Sequence, residues 1–299
     1  MWDTQEWRDE ALSWAASCGA GARGEIDQRI RPWATALRIP TAQGIVWLKA
    51  NSPGTASEIA LVDAMASRAT PHVLTPLAID LDRCWLLLPD GGPTLRMALD
   101  RHTDLGEWER LLPKYAELQQ SLEGVDVEGL EDHTPSVMPA LFREQLSVLE
   151  VGPRAELEAL LPRYDTWCEE LAGSGIWSTV QHDDLHDGNV FANHLIFDWG
   201  DAVLAHPFAS LLVTQRNIAD RFSLAPGAPE LARLRDCYLE AWTDGHTRVE
   251  LEYFALLATR VGKVSRSRSW LRALSSGDPG EFAEAPAGWL EELLEVDVF

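Results

Sequence analysis

Residues 181–200, QHDDLHDGNVFANHLIFDWG, hold the densest polar chemistry in this chain. Between His182 and Asn189 stand two histidines, three aspartates and one asparagine. Asp198 follows nine residues after Asn189, with Trp199 and Gly200 behind it. Apolar runs flank the cluster, IWSTV at 176–180 and LIF at 195–197. Short apolar runs released into acids and an amide predict strands that deliver a site at their ends. In such a site one carboxylate can orient an attacking hydroxyl. An amide and a second carboxylate can hold magnesium, and together these are the parts phosphoryl transfer requires. A metal-dependent hydrolase is the other reading, with His182, Asp183, Asp184, His186, Asp187 and His194 as a metal cluster.

The chain has 299 residues, 46% of them hydrophobic, enough for a full core in one large or two modest domains. The net charge of -22 argues against a nucleic-acid partner, because phosphate binding needs a basic surface. The same acidity can steer a cationic small molecule, or simply keep the surface solvated. No apolar run reaches eighteen residues, so no membrane helix is expected. The start, MWDTQEWRDE, lacks the pattern of a signal peptide. Cys18, Cys84, Cys168 and Cys237 are scattered without a C-x-x-C pair, which suits reduced thiols in a cytoplasmic protein. Only Lys49, Lys114 and Lys263 supply lysine, so a lysine at a meaningful position is informative. Oligomeric state leaves no trace in the composition.

Read in order, residues 3–17 carry Trp7, Ala11 and Trp14 at helical spacing. Residues 26–39 read as two strands about Pro32, and 45–50 (IVWLKA) as a third after the turn TAQG. Lys49 sits at the end of that strand. Residues 55–67 read as a helix with Glu58 in its first turn, and 76–80 and 84–88 as two more strands. From Thr94 the period changes to 3.6, with helices expected over 105–122, 137–148, 154–171, 228–243, 249–274 and 289–295. Strands first and helices afterwards make an α+β arrangement with its boundary near residues 89–93.

H-x-D-x-x-x-x-N followed by D-W-G resembles the aminoglycoside phosphotransferase family of small-molecule kinases, a branch of the protein-kinase-like fold. The match runs over about residues 26–212. The resemblance implies a bilobal fold. Residues 1–89 would form a nucleotide-binding lobe with a leading helix, and 90–299 a catalytic, substrate-binding lobe. It implies ATP and magnesium. Asp184, five residues before Asn189, would be the catalytic aspartate, and Asn189 and Asp198 would hold the metal. Lys49 would meet the nucleotide phosphates, paired with Glu58. Backbone near Leu88 and Asp90 would hold the adenine, and His182 would brace the loop. The acceptor would be a hydroxyl of a small cationic molecule such as an aminoglycoside, an amino sugar or a choline-like alcohol. Asp183, Asp187, Asp201, Gln215, Arg216 and Asp220 are candidates to line its pocket.

Several positions depart from the family pattern. Asp183 stands where glycine is common, and Ser210 where an aspartate is usual. The span from Asn189 to Asp198 leaves room only for a tight turn at 192–194. The first hairpin loop, RPWAT, has no glycine, and its Trp33 could pack over a nucleotide or fill the core. The basic cluster Arg260, Lys263, Arg266 and Arg268 could meet an anionic substrate or the acidic body of the protein, and the many acids of the chain favour the second. A kinase-like module that binds nucleotide without catalysis is the remaining alternative.

Overall fold

The computed structural model describes residues 2–295 and Asp297. The first part of the chain builds an antiparallel sheet from β1 (Asp27–Ile30), β2 (Ala34–Thr41), β3 (Gly44–Asn51), β4 (Ala78–Asp80) and β5 (Trp85–Pro89). Its order is β1-β2-β3-β5-β4. Alternation along each strand decides what the two faces touch. Leu37, Leu48 and Leu87 stand side by side in register and pack beneath α1 (Gln5–Ser17), with Trp7, Ala11 and Ala15. Trp7 and Trp14 both meet Trp85 edge-on. On the opposite face, Lys49 and Leu86 are in register, and Leu86 packs with α2 (Ser57–Ser67) through Ile59, Val62 and Met65.

The rest is mainly helical: α3 (Leu95–Arg101), α4 (Gly106–Ser121), α5 (Met138–Val148), α6 (Arg154–Ala172), α7 (Leu211–Phe222), α8 (Pro229–Leu239), α9 (Arg248–Ala273) and α10 (Ala285–Glu291). A second, small sheet has the order β6-β8-β7, from β6 (Asp132–His133), β7 (Thr179–Gln181) and β8 (Val203–Ala205). It brackets the polar stretch, since β7 runs into His182 and β8 follows Asp201. One apolar cluster joins the inner face of α2 to these helices through Trp108, Tyr115, Phe142, Tyr164 and Trp199. No helix among the described residues is long and apolar enough to cross a membrane.

The antiparallel sheet and the long helices lie where periodicity put them, within a few residues. The differences are local. Of the apolar run 176–180 only the end is strand, in β7. Residues 195–197 make no regular strand: Ile196 bridges Val190 on one side and Val73 on the other. The intervening turn closes with His194 N–H donating to the Phe191 carbonyl, at a positive φ for His194. α3 and α7 carried no clear helical pattern. α7 begins inside the apolar run FASLLV, whose burial on all sides removes the period. The last helix starts earlier than expected, with a proline in its first turn.

Candidate active site

Strand alternation sends Lys49 toward α2 because it sends Leu48 toward α1. The Lys49 ammonium lies 2.6 Å from Glu58 Oε2 and 2.5 Å from Asp198 Oδ1. Glu58 is fixed in turn. The Asn51 side-chain amide donates to its Oε2 (2.6 Å), and the Trp199 backbone N–H donates to its Oε1 (3.0 Å). The glutamate thus couples the third strand to the segment carrying Asp198. Burial works against the Lys49 charge, but Asp198 and Glu58 hold its pKa well above the ordinary lysine value. Burial pushes Glu58 up, with Lys49 opposing. Burial also works against the Asp198 charge, yet Lys49 outweighs it and holds that carboxyl below its usual range. The difference follows the neighbours: the Asp198 charge adds to the rise of Glu58, whereas Lys49 leads the groups that lower Asp198.

His182 sits at the root of the loop. Its Nε2–H donates to the Phe197 carbonyl (3.0 Å), and its Nδ1 accepts from the Asp184 N–H (3.3 Å). Its ring packs on Trp199. Burial holds it neutral, with a pKa lowered to about 4. The buried His182 N–H donates to the Tyr115 hydroxyl (3.0 Å), which bonds Ser210 Oγ at 2.7 Å. Tyr115 from α4 and Ser210 therefore satisfy together a backbone donor at the position where the resembling family usually has an aspartate. The lone Ser210 was visible in the sequence; its partner lies 95 residues away, beyond any local signal.

Asp184 is gripped from both sides. Its Oδ1 accepts from Arg266 Nη2 (2.7 Å), and its Oδ2 from Asn189 Nδ2 (3.2 Å). His186 Nε2 lies 3.5 Å from Oδ2. Burial, with Asp201, Asp198 and Asp183 nearby, raises its pKa to about 7 although Arg266 pulls the other way. The Asn189 amide also donates to the Asp184 carbonyl (2.9 Å). Among the described residues, that leaves Asn189 Oδ1 and Asp198 Oδ2 as oxygens without a protein partner. Hard oxygens of this kind, with room for water, fit magnesium. Among the described residues no group of three or more His, Cys, Asp or Glu could hold a metal ion. Of the three histidines that a zinc site would draw on, two are engaged elsewhere: His182 as above, and His194 with Glu107 and Lys114. Leu88 lies on the same sheet face as Lys49 and packs on the central cluster. The Asp90 carboxylate accepts from the Gly92 N–H. Gly91 between them has no room for a Cβ, which would fall 2.4 Å from the Phe191 ring.

The pocket candidates divide. Asp201 stays by the loop, 2.8 Å from Arg266 Nη1. Asp183, at φ +61°, is turned inward and accepts from Ser269 Oγ (2.6 Å) and Gln181 Nε2 (2.9 Å). It supports the loop from beneath rather than lining a pocket. Asp187 is fully buried between Arg96 (2.8 Å) and Arg221 (3.1 Å). With Asp220 it borders a depression of about 480 Å³ between α3 and α7. Gln215 is fully buried and donates to the Leu231 carbonyl, because its position on α7 shares the core face with Leu211 and Ile218. Arg216 turns the other way, to Glu292 and the ring of Trp289. Neither meets the loop. Trp33 packs edge-on against Trp270 and Phe282. The basic cluster of α9 meets acids and a carbonyl: Arg260 with Asp297, Lys263 with the Glu292 carbonyl, Arg268 with Glu144.

A profile of the phosphotransferase enzyme family matches residues 36–251, which includes every element of this geometry up to α9. The chain belongs to that family. No curated protein matches it significantly. Among solved structures this kinase is similar to a choline/ethanolamine kinase family protein from Mesorhizobium loti, at 14% identity, 97% coverage of this chain and 95% of that one, with TM-score 0.66. It is similar to choline kinase LicA from Streptococcus pneumoniae, at 12% identity, 97% and 99% coverage and TM-score 0.63. It is also similar to APH(2'')-IIa in a ternary complex with streptomycin and ATP, at 14% identity, 100% and 98% coverage and TM-score 0.57. At such identities the likeness speaks for the fold, which is the protein-kinase-like one. The family membership makes the protein a small-molecule kinase that phosphorylates an alcohol group, and the hydrolase reading has nothing in its favour.

Proposed function

We propose that this kinase moves the γ-phosphate of ATP to a hydroxyl of a small cationic acceptor, with Asp184 as the group that meets that hydroxyl. The observation that carries the reading is that four separate stretches bring these groups together: Lys49 pairs with Glu58 and Asp198, Asn189 bonds Asp184, and the Phe197 N–H beside Asp198 donates to the Asn189 carbonyl (3.1 Å). Residues 1–89 would serve as the nucleotide lobe and 90–299 as the catalytic lobe, with the adenine against the backbone of Leu88 to Asp90. Magnesium held by Asn189 and Asp198 would neutralise charge on the phosphates. Lys49 would bind the α/β phosphates, and Glu58 would keep it aimed. Asp184 would accept the acceptor's proton as its oxygen bonds to the γ-phosphorus and the bond to ADP breaks. His182, neutral and bonded at both nitrogens, would hold loop geometry only.

The preference for a cation is supported by charge. Asp183, Asp184 and Asp201 crowd one guanidinium, so negative charge is in excess beside the reacting position. Of the proteins of similar fold named above, one is a choline kinase and one was solved with streptomycin and ATP, and choline and streptomycin are both cations. The reading predicts a cytoplasmic enzyme with no nucleic-acid partner.

An ATP-consumption screen over choline, ethanolamine, streptomycin, spectinomycin and amino sugars tests the acceptor. Asp184→Ala should keep ATP affinity within about threefold and lower kcat by about 10³ or more. Lys49→Ala should instead weaken ATP binding. Normal turnover by Asp184→Ala would end this assignment, and so would calorimetry showing no MgATP binding to the wild type.

A further inference from the structure

We propose that Arg266 is a positioning residue for phosphoryl transfer: it holds Asp184 by Oδ1 and so presents Oδ2 to the acceptor hydroxyl. The inference rests on the reading of Asp184 given above.

Arg266 comes from the middle of α9, 82 residues after Asp184, and its side chain is only 5% exposed. One guanidinium faces three carboxylates. Nη2 is 2.7 Å from Asp184 Oδ1, Nη1 is 2.8 Å from Asp201 Oδ2, and Nη1 is 3.9 Å from Asp183 Oδ2. A planar fork can bridge two carboxylates at a set angle; a lysine ammonium cannot impose that plane. With Oδ1 held and the Asn189 amide on the other side, Asp184 has no freedom to swing toward the metal side of the cleft. Its Oδ2, with longer contacts to Asn189 (3.2 Å) and His186 Nε2 (3.5 Å), is the less tightly held oxygen and the one to meet a hydroxyl.

The anchor behind the guanidinium is firm. Ser265, Ser267 and Ser269 on either side of it are buried, and α9 packs through Gly262 onto Ala209. Three residues further on, Ser269 donates to Asp183. Arg272, a further three along, donates to the carbonyls of Gly200 (3.2 Å) and Ala202 (3.5 Å). One helix face therefore fixes the loop bearing Asp184 and the segment after Asp198 relative to each other. Misplacement of a reacting group by about 1 Å can cost about 10²-fold in rate, so such a tether matters for turnover.

A role in mere charge balance would give a different pattern. The test compares wild type, R266K, R266Q and R266Q/D201N, with whichever acceptor of the panel the wild type phosphorylates and with water as a second acceptor of MgATP. For R266Q, kcat should fall by about 10²-fold and the KM for ATP should stay within about twofold, because Lys49 and Asp198 are untouched. R266K keeps the charge and loses the fork, and should recover no more than about a tenth of wild-type kcat. R266Q/D201N relieves the excess of negative charge, so its thermal midpoint should rise above that of R266Q while kcat stays low. The proposal is overturned if kcat of R266Q stays within about threefold of wild type. Recovery of kcat together with the midpoint in the double variant would overturn it equally. If R266Q alone fails to fold, R266K and the double variant carry the same comparison. A wild type inert toward every acceptor and water overturns the reading of Asp184, and this proposal with it, before any variant is compared.

Discussion

At the scale of residues, function here depends on charges that are buried in company. Lys49 is acceptable in the interior because two carboxylates meet it, and Glu58 because Lys49, Asn51 and the Trp199 N–H do. Three histidines, His182, His186 and His206, are treated the opposite way, their pKa values lowered first of all by burial. His206 is buried at the start of a short 3-10 turn, where its Nδ1 accepts from the Phe208 N–H, and burial lowers its pKa to about 3. Above pH 6.5 the residue is neutral whether the chain is folded or not. Below it the unfolded chain takes up a proton that the folded chain refuses, so stability falls as pH falls toward the folded value. By pH 4 this one histidine should cost about 3 kcal/mol. Asn at 206 can keep the turn's hydrogen bond without titrating. In urea titrations from pH 7 to 4, wild type should therefore lose about 3 kcal/mol more than His206→Asn. Parallel losses in the two proteins would show that His206 is not held neutral.

At the scale of elements, α9 is the helix whose neighbours local pattern described least well. Its limits were legible from period, but it is buried on several faces, so no amphipathic stripe says which neighbour each face meets. The structure puts the loop bearing Asp184, the segment after Asp198 and the first hairpin all along it. Trp33 of the β1–β2 turn packs on Trp270 and Phe282. Gly54 lies so close that a Cβ would fall 2.1 Å from the Arg272 carbonyl oxygen. These contacts join the strand-rich part of the chain to the helical part at a point far from the 89–93 connection. A double-mutant cycle of Trp33→Ala and Trp270→Ala should show a coupling of about 0.5–1.5 kcal/mol in stability. Additive losses would mean that the hairpin turn is not held by α9. Gly91 and Gly54 illustrate a limit of sequence reading: both look like ordinary loop glycines, and only the approach of Phe191 and of Arg272 shows why a side chain is excluded.

At the scale of the molecule, the charge of -22 is spread over a protein with a locally neutralised core of ion pairs. An excess of that size attracts cations over roughly a Debye length, about 10 Å at 0.1 M salt. For a cationic acceptor, raising salt from about 0.02 M to about 0.2 M should raise KM several-fold and leave kcat nearly constant. Steady-state kinetics with choline or streptomycin in sodium chloride checks this. A KM unchanged by salt would remove long-range attraction as a source of acceptor preference.

Strand and helix periods were enough to indicate an α+β chain, because they are local properties, and the polar run 181–200 with its spacing carried the family resemblance that implied the fold and the roles of Lys49 and Glu58. The positions of the strands and most helix limits followed from the same local periods, whereas the sheet order, with β5 between β3 and β4, is a tertiary choice. What closes the site was decided only by tertiary structure. Arg266 reaches Asp184 across 82 residues, Tyr115 meets Ser210 across 95, and Asp183 turns inward to Ser269 across 86. Gln215 and Arg216, adjacent in sequence and equally plausible in a pocket, leave for the core and for Glu292. Such choices follow from which buried polar group finds a partner, and that depends on how helices far apart in the chain are packed together.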